Sequence, residues 1–230
     1  MFKQIATGIL LLSVALSAFS GDSLSAKSSA RLSAVLDAQS DELKSRYQWR
    51  HPGETLSFFG IEPGMTVVEV LPGRGWYSPI LVSYLGSKGT LIGADYPLEI
   101  WPNFPFGNEA FIAKRRGWIE EWPLQAQTWA GDDGAAAKAM RIGMIPDALD
   151  ASADAVLFIR ALHNLSRFEE KGGFFSSALT DSLAVLKPGG TLGVVQHMAP
   201  DGQPAASTNG SRGYMDKAAL IKRIEAMGFE

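Results

Sequence analysis

Glu69 stands near the end of the apolar run "MTVVEV", and Gly73 and Gly75 follow it in the turn "LPGRG". A carboxylate closing a buried run is costly unless something pairs with it, and a cationic ligand group would do so. Glycine directly after a buried strand lets a ligand approach the backbone where a Cβ would otherwise stand. The helix that begins near Ser78 adds free N–H groups suited to an anion. Asp95 ends the next apolar run, "GTLIGADY", close to the ~20-residue offset at which nucleotide-binding folds place a carboxylate for ribose hydroxyls. A nucleoside carrying a cationic amino acid would answer to both acids. Further along, Arg160, His163 and Asn164 follow "ADAVLFI", and His197 follows "TLGVVQ".

These residues need a scaffold of strands and helices to bring them together. "MTVVEV" is apolar on both alternating faces, as expected of a strand covered by helices on both sides of a parallel sheet. "WYSPILVSYL" reads as the following helix, with Pro79 in its first turn and Gly86 at its end, and "GTLIGADY" as the second strand. Strand, helix and strand in this order make a right-handed βαβ unit. The spacing then predicts a helix over "GNEAFIAKRRGWIEEW", a third strand at "AQTWAG", an ambiguous stretch from Gly131 to Asp150, and a fourth strand at "ADAVLFIR". A helix at "FFSSALTDSLAVL", a fifth strand at "TLGVVQHMA" and a helix from Asp216 complete the alternation. Ahead of the domain, Leu32, Val35, Leu36 and Leu43 recur at helical spacing, and "GETLSFF" forms a short helix stopped by Gly60. The expected class is α/β, a Rossmann-like, mostly parallel sheet with helices on both faces.

The chain has 230 residues, enough for one substantial domain. A hydrophobic share of 46% and a charged share of 20% are those of a globular protein. The formal net charge of -3 argues against a nucleic-acid partner, whose phosphates would call for excess Lys and Arg. The cluster Lys114-Arg115-Arg116 reads as a solvated helix face. There is no cysteine, and the 3 scattered histidines lack an acidic cluster, so there is no case for a metal site. Lys3 followed by the uncharged run Ile5 to Phe19, with small residues before Gly21, reads as a secretory leader over 1–20, with an uncleaved anchor as the alternative. Residues 21–46 read as a linker and an N-terminal helix, and 47–230 as the domain. The exported, periplasmic compartment is the expected location.

The ordered set Glu69, Gly73-Arg74-Gly75, Asp95, Ala153-Asp154-Ala155-Val156-Leu157 and Leu186-Lys187-Pro188-Gly189-Gly190 resembles the class I S-adenosylmethionine-dependent methyltransferases. "RHPGETLSFFGIEPGMTVVEVLPGRGWYSPIL", with "LHN" and "VVQH", is similar to a bacterial group of methyltransferases with leader peptides, and the likeness runs from about Tyr47 to Phe229. The resemblance implies S-adenosylmethionine as cofactor, with Glu69, Gly73 and Gly75 on its amino-acid part, Asp95 on its ribose and Tyr96 beside its adenine. The further acid expected near the adenine would be Asp132 or Asp133, or lie near Asp147. Most class I enzymes have glycine where this chain has Leu71, and Pro72 removes a donor from the loop.

Methyl transfer is an in-line displacement in which the protein positions the acceptor and removes its proton. His163 is the better base, Asn164 a positioner and Arg160 an anchor for an anionic acceptor; His197 and a capping His51 are weaker candidates. The acceptor is expected to be a small molecule or a membrane-associated one. A non-catalytic domain binding a nucleoside-like ligand is the competing reading. The resembling enzymes begin a final antiparallel hairpin where this sequence stops, so the expectation is either a truncated sequence or an exposed apolar edge on the fifth strand that a partner or a second copy covers.

Overall fold

The computed structural model describes residues 24–230, so the leader expected over 1–20 lies outside the described residues. Four helices come first: α1 (Ala26–Asp37), α2 (Asp41–Lys44), α3 (Tyr47–Arg50) and α4 (Pro52–Phe58). Ser25 caps α1 by accepting from the Ser28 N–H, so the stretch expected to be a linker is already helical at Ala26. Leu32 is buried, and Arg31 donates to the carbonyls of Ser83 (2.7 Å) and Tyr84 (2.9 Å) in the last turn of a later helix. Those bonds satisfy carbonyls that a helix end leaves free, and they join α1 to the domain.

The central alternation is β1 (Thr66–Val70), α5 (Ser78–Leu85), β2 (Thr90–Asp95), α6 (Glu109–Ala130), β3 (Ala136–Arg141), β4 (Ala153–Ile159), α7 (Leu162–Arg167), α8 (Glu169–Gly172), α9 (Phe174–Val185) and β5 (Leu186–Val195). The five strands are parallel in the order β3-β2-β1-β4-β5. The chain therefore winds outward from β1 and then returns to the other side of it. The reversal puts a crevice at the carboxyl ends of β1 and β4, where open α/β sheets bind ligands. One face of the sheet buries Leu56, Ile80, Leu81, Tyr84 and Trp122 beneath the earlier helices, and the other buries Leu165, Phe175 and Leu179. Beyond β5 lie β6 (His197–Met198), α10 (Ala205–Thr208), β7 (Tyr214–Met215) and α11 (Lys217–Glu225), with β6 and β7 paired in a second, small sheet.

The third strand departs from the sequence reading. "AQTWAG" is the last part of α6, which continues through Pro123, and the strand is "AAKAMR" at 136–141. Trp118, Trp122, Ala126 and Ala130 are buried at intervals of four residues, so the packing face of the helix runs across the proline and outweighs the hydrogen bond it removes. β5 pairs only with β4, so its other edge is open among the described residues. None of the described helices is long and apolar enough to cross a membrane.

The turn after β1 shows why Leu71 stands out. Its φ is 53°, a left-handed backbone that disfavours a branched side chain by about 1–2 kcal/mol, while its N–H donates to Ala94 O at 2.7 Å. Leu71→Gly should therefore cost less than about 1 kcal/mol in denaturant unfolding, against the ~3–5 kcal/mol typical of truncating a core leucine. A cost in the usual range would show that the left-handed turn stores no strain.

Candidate active site

Glu69 is 5% exposed at the carboxyl end of β1. The Ser78 hydroxyl, at the start of α5, donates to its Oε2 at 2.7 Å, and no ion pair reaches it among the described residues. Burial pushes its carboxyl up to about 7, and the Ser78 bond offsets only part of that rise. The start of α5 is thus anchored to an acid that lacks a counter-charge among the described residues.

The two glycines of the turn play different parts. Gly73 is exposed at φ 63°, and a Cβ there would meet only the Leu71 carbonyl oxygen, at 3.8 Å. At Gly75, φ 76°, a Cβ would lie 2.3 Å from the indole of Trp129, so this glycine lets α6 pack against the turn. What comes close to the backbone at Gly75 is a side chain of the protein itself.

Asp95 is fully buried, which differs from the open ribose acceptor expected of it. Arg115 Nε donates to Oδ2 at 2.9 Å and its Nη2 lies against Oδ1, while Arg141 Nη1 approaches Oδ2 at 3.3 Å. Arg115 also lies 5.2 Å from the ring centres of both Trp101 and Trp118. The reading of Lys114-Arg115-Arg116 as a solvated face holds for its exposed neighbours but not for Arg115, which turns inward to a charge that β2 buries. An acid ending a buried strand was the available signal, since it needs a cation from somewhere. Tyr96, expected beside an adenine, is also fully buried: its hydroxyl donates to the Ala161 carbonyl and lies beside the Asn164 side chain, and burial raises its pKa. It therefore ties the end of β2 to α7. The loop after it is seated by Ile100 and Trp101 in the core.

Asp132 is not brought to the site. It lies in the turn between α6 and β3, where Ala135 N–H donates to Val82 O, and so at the end of the sheet opposite Glu69 and Asp95. Asp133 shares that turn. Placing the third strand at 136–141 instead of at "AQTWAG" moves both acids from after the strand to before it. A cavity of about 280 Å³ lies instead beyond Arg141, lined by Leu98, Glu99, Arg116, Met140 and Met144 among others.

Arg160, His163 and Asn164 do gather at the carboxyl end of β4. Arg160 takes a left-handed backbone, φ 59°, and its N–H donates to Val195 O at 2.8 Å. His163 is half-buried on α7, and its Nδ1 lies 3.2 Å from Gln196 Oε1. Gln196 Nε2 donates to Gly213 O at 2.7 Å, which orients the amide with Oε1 toward the histidine. Nδ1 then carries the proton and Nε2 the lone pair. Burial, and secondarily the charges of Arg160 and Arg167, lower the His163 pKa against the bond it donates to Gln196, so the ring is neutral at physiological pH. His197 is exposed on β6 with its ring 5.9 Å from that of Tyr214, and His51 makes an exposed contact to Glu54 at 3.5 Å without capping α4 by its side chain. Among the described residues no cluster of three His, Asp or Glu could hold a metal ion.

No protein-family model matches the sequence, and no curated protein is similar enough to stand as a relative. Solved structures are similar in fold. A SAM-dependent methyltransferase from Aquifex aeolicus superposes with a TM-score of 0.52 at 19% identity, covering 86% of this chain and 88% of its own. An arsenic(III) S-adenosylmethionine methyltransferase from Chlamydomonas reinhardtii gives 0.51 at 18% identity, covering 86% of this chain and 61% of its own. At such identities the likeness concerns architecture alone: the described sheet and its helices have the fold of class I S-adenosylmethionine-dependent methyltransferases.

Proposed function

We propose that this chain is an S-adenosylmethionine-dependent methyltransferase acting on a small or membrane-associated acceptor. The observation that carries the reading is Glu69, a buried carboxylate under the glycine turn with no cation beside it among the described residues. An α-ammonium group would supply the missing charge, and Gly73 leaves room for it. Asp95 fits ribose hydroxyls only once Arg115 has moved aside, and the cavity beyond Arg141 would then take the base. The cofactor, when bound, supplies an electrophilic methyl on a sulfonium centre. His163 accepts the acceptor's proton at Nε2, Asn164 helps orient the acceptor, and Arg160 faces its charge.

Calorimetric titration of the chain from Gly21 onward is expected to give micromolar binding of S-adenosylmethionine and S-adenosylhomocysteine, about -8 kcal/mol, and none of NAD. A folded sample that bound neither of the first two would end the cofactor reading. His163→Ala should slow turnover by about 10²–10⁴-fold while cofactor affinity stays within about twofold. Unchanged turnover would remove His163 from the chemistry. The closure of Asp95 favours a second reading, a domain that binds a nucleoside-like ligand without turnover. Cofactor binding with no methyl transfer to any acceptor tried would favour it. Export is part of the proposal and is supported by residues 1–20 alone. N-terminal sequencing of the mature chain should begin at Gly21, and a start at Met1 would make the segment an anchor.

A further inference from the structure

Two guanidinium groups, Arg50 at the end of α3 and Arg160 just after β4, are not fully used by the chemistry above. Arg50 ends α3 just before the backbone reverses at His51, φ 42°. Its carbonyl accepts from the Tyr77 hydroxyl at 2.9 Å, and its guanidinium lies 4.6 Å from the ring centre of Trp76, the residue after Gly75. Both contacts come from the segment that leads from the glycine turn into α5, so the side chain is held at the mouth of the crevice. Arg160 reaches the same mouth from β4. Glu69 is level with Leu157 across the β1–β4 pairing, which puts Arg160 about level with Pro72 of the turn.

The two side chains are near enough for the charge of Arg160 to lower the Arg50 pKa, after burial as the first cause, and the same charge acts on His163 on the other side. Among the described residues neither guanidinium forms an ion pair. The contrast with Asp95 is direct, since there two arginines converge on a carboxylate. Like charges held together, one of them half-buried on an indole, raise the energy of the empty site. An anion bridging them lowers it through charge-assisted, fork-shaped bonds.

We propose that Arg50 and Arg160 form a two-armed anion site, with Trp76 as the platform of one arm, which receives a carboxylate or phosphate of the methyl acceptor beside His163. This rests on the methyltransferase reading for the word acceptor, but not for the anion site itself. The carboxylate of the cofactor is the other source of the same chemistry, and competition separates the two.

The experiment is a titration of the folded chain from Gly21 onward with inorganic phosphate, followed by phosphorus NMR line width, with and without saturating S-adenosylhomocysteine. Saturable binding is expected, weakened at least tenfold in Arg160→Gln and in Arg50→Gln, retained when the exposed Lys88, in the turn before β2 at the other end of the sheet, is replaced (Lys88→Gln), and unaffected by S-adenosylhomocysteine. Arg160 is exposed, so its variant keeps the test open should Arg50→Gln lose the support of Trp76 and fail to fold. No saturable binding, or binding equal in wild type and Arg160→Gln, overturns the anion site. Displacement of phosphate by S-adenosylhomocysteine overturns the acceptor assignment and gives the site to the cofactor. Phosphate binding with no cofactor binding would leave the anion site standing while the methyltransferase reading fell.

Discussion

Glu69→Gln should stabilise the protein at about pH 8 and weaken its binding of S-adenosylmethionine about a hundredfold, two effects of opposite direction from one change of charge. Burial holds the folded-state pKa at about 7, above the 4.5 of a free glutamate. The native state therefore binds this proton more tightly than the unfolded chain does. The stability it contributes is complete below about pH 4.5 and is lost as the pH rises through about 7, a swing of about 3 kcal/mol for a shift of this size. Glutamine has nearly the same shape, can accept the Ser78 bond, and has no charge to desolvate. Denaturant unfolding should show the variant and wild type alike at about pH 4, with the variant ahead by about 3 kcal/mol at about pH 8. Cofactor binding should behave inversely. Wild-type affinity should rise with pH through about 7 as the carboxylate ionises to meet the ammonium group, while the variant stays about a hundredfold weaker and flat with pH. A stability difference that did not vary with pH would mean that Glu69 is already ionised by a partner in the folded protein. Retained affinity in the variant would move the cofactor's ammonium elsewhere.

What the sequence made legible follows from which segments are dictated by burial. The runs at Thr66–Val70, Thr90–Asp95 and Ala153–Ile159 are covered on both faces, so β-branched and apolar residues leave no competing pattern. β3 is an outer strand of the sheet, and its residues are three alanines with Lys138, Met140 and Arg141, Arg141 being level with Asp95 of β2. Composition of that kind favours a helix in isolation, and only pairing with β2 makes it a strand. The end of α6 misled for the converse reason: Pro123 suggests a break, while the buried stripe every fourth residue from Trp118 to Ala130 carries the helix past it. At the site, Glu69 and the turn were legible because a buried acid and a left-handed backbone are local costs. The engagement of Asp95 by Arg115 and Arg141 joins residues 20 and 46 positions away, so no local pattern announces it.

Asp95→Ala should be the most destabilising of these substitutions, and for a reason unconnected with ribose. Arg141 is 4% exposed and Arg115 is flanked by Trp101 and Trp118, so deleting the carboxylate leaves two guanidinium groups in the interior without their counter-charge. Breaking a buried pair from one side costs about 3–5 kcal/mol. Loss of a ribose hydrogen bond to a charged group would cost binding only about 1.5–3 kcal/mol. Arg141 keeps the carbonyl of Arg116 at 3.1 Å, so its charge is partly satisfied without Asp95, whereas Arg115 has Asp95 as its one ion-pair partner among the described residues. Replacing both Asp95 and Arg115 by uncharged residues should therefore recover about 1–3 kcal/mol relative to the sum of the single variants, which denaturant unfolding of the four proteins measures. The single variant Arg115→Gln separates the structural role of the acid from its ligand role, because it frees one side of Asp95 while leaving Arg141 in place. Cofactor affinity that rises in Arg115→Gln means that the arginine and the ribose compete for Asp95, and that the protein must release this ion pair each time it binds. Affinity that falls means that Arg115 helps to hold the ligand. If Asp95→Ala costs less than about 1 kcal/mol, the arginines have other partners, and Asp95 is freer to act on a ligand than its burial implies.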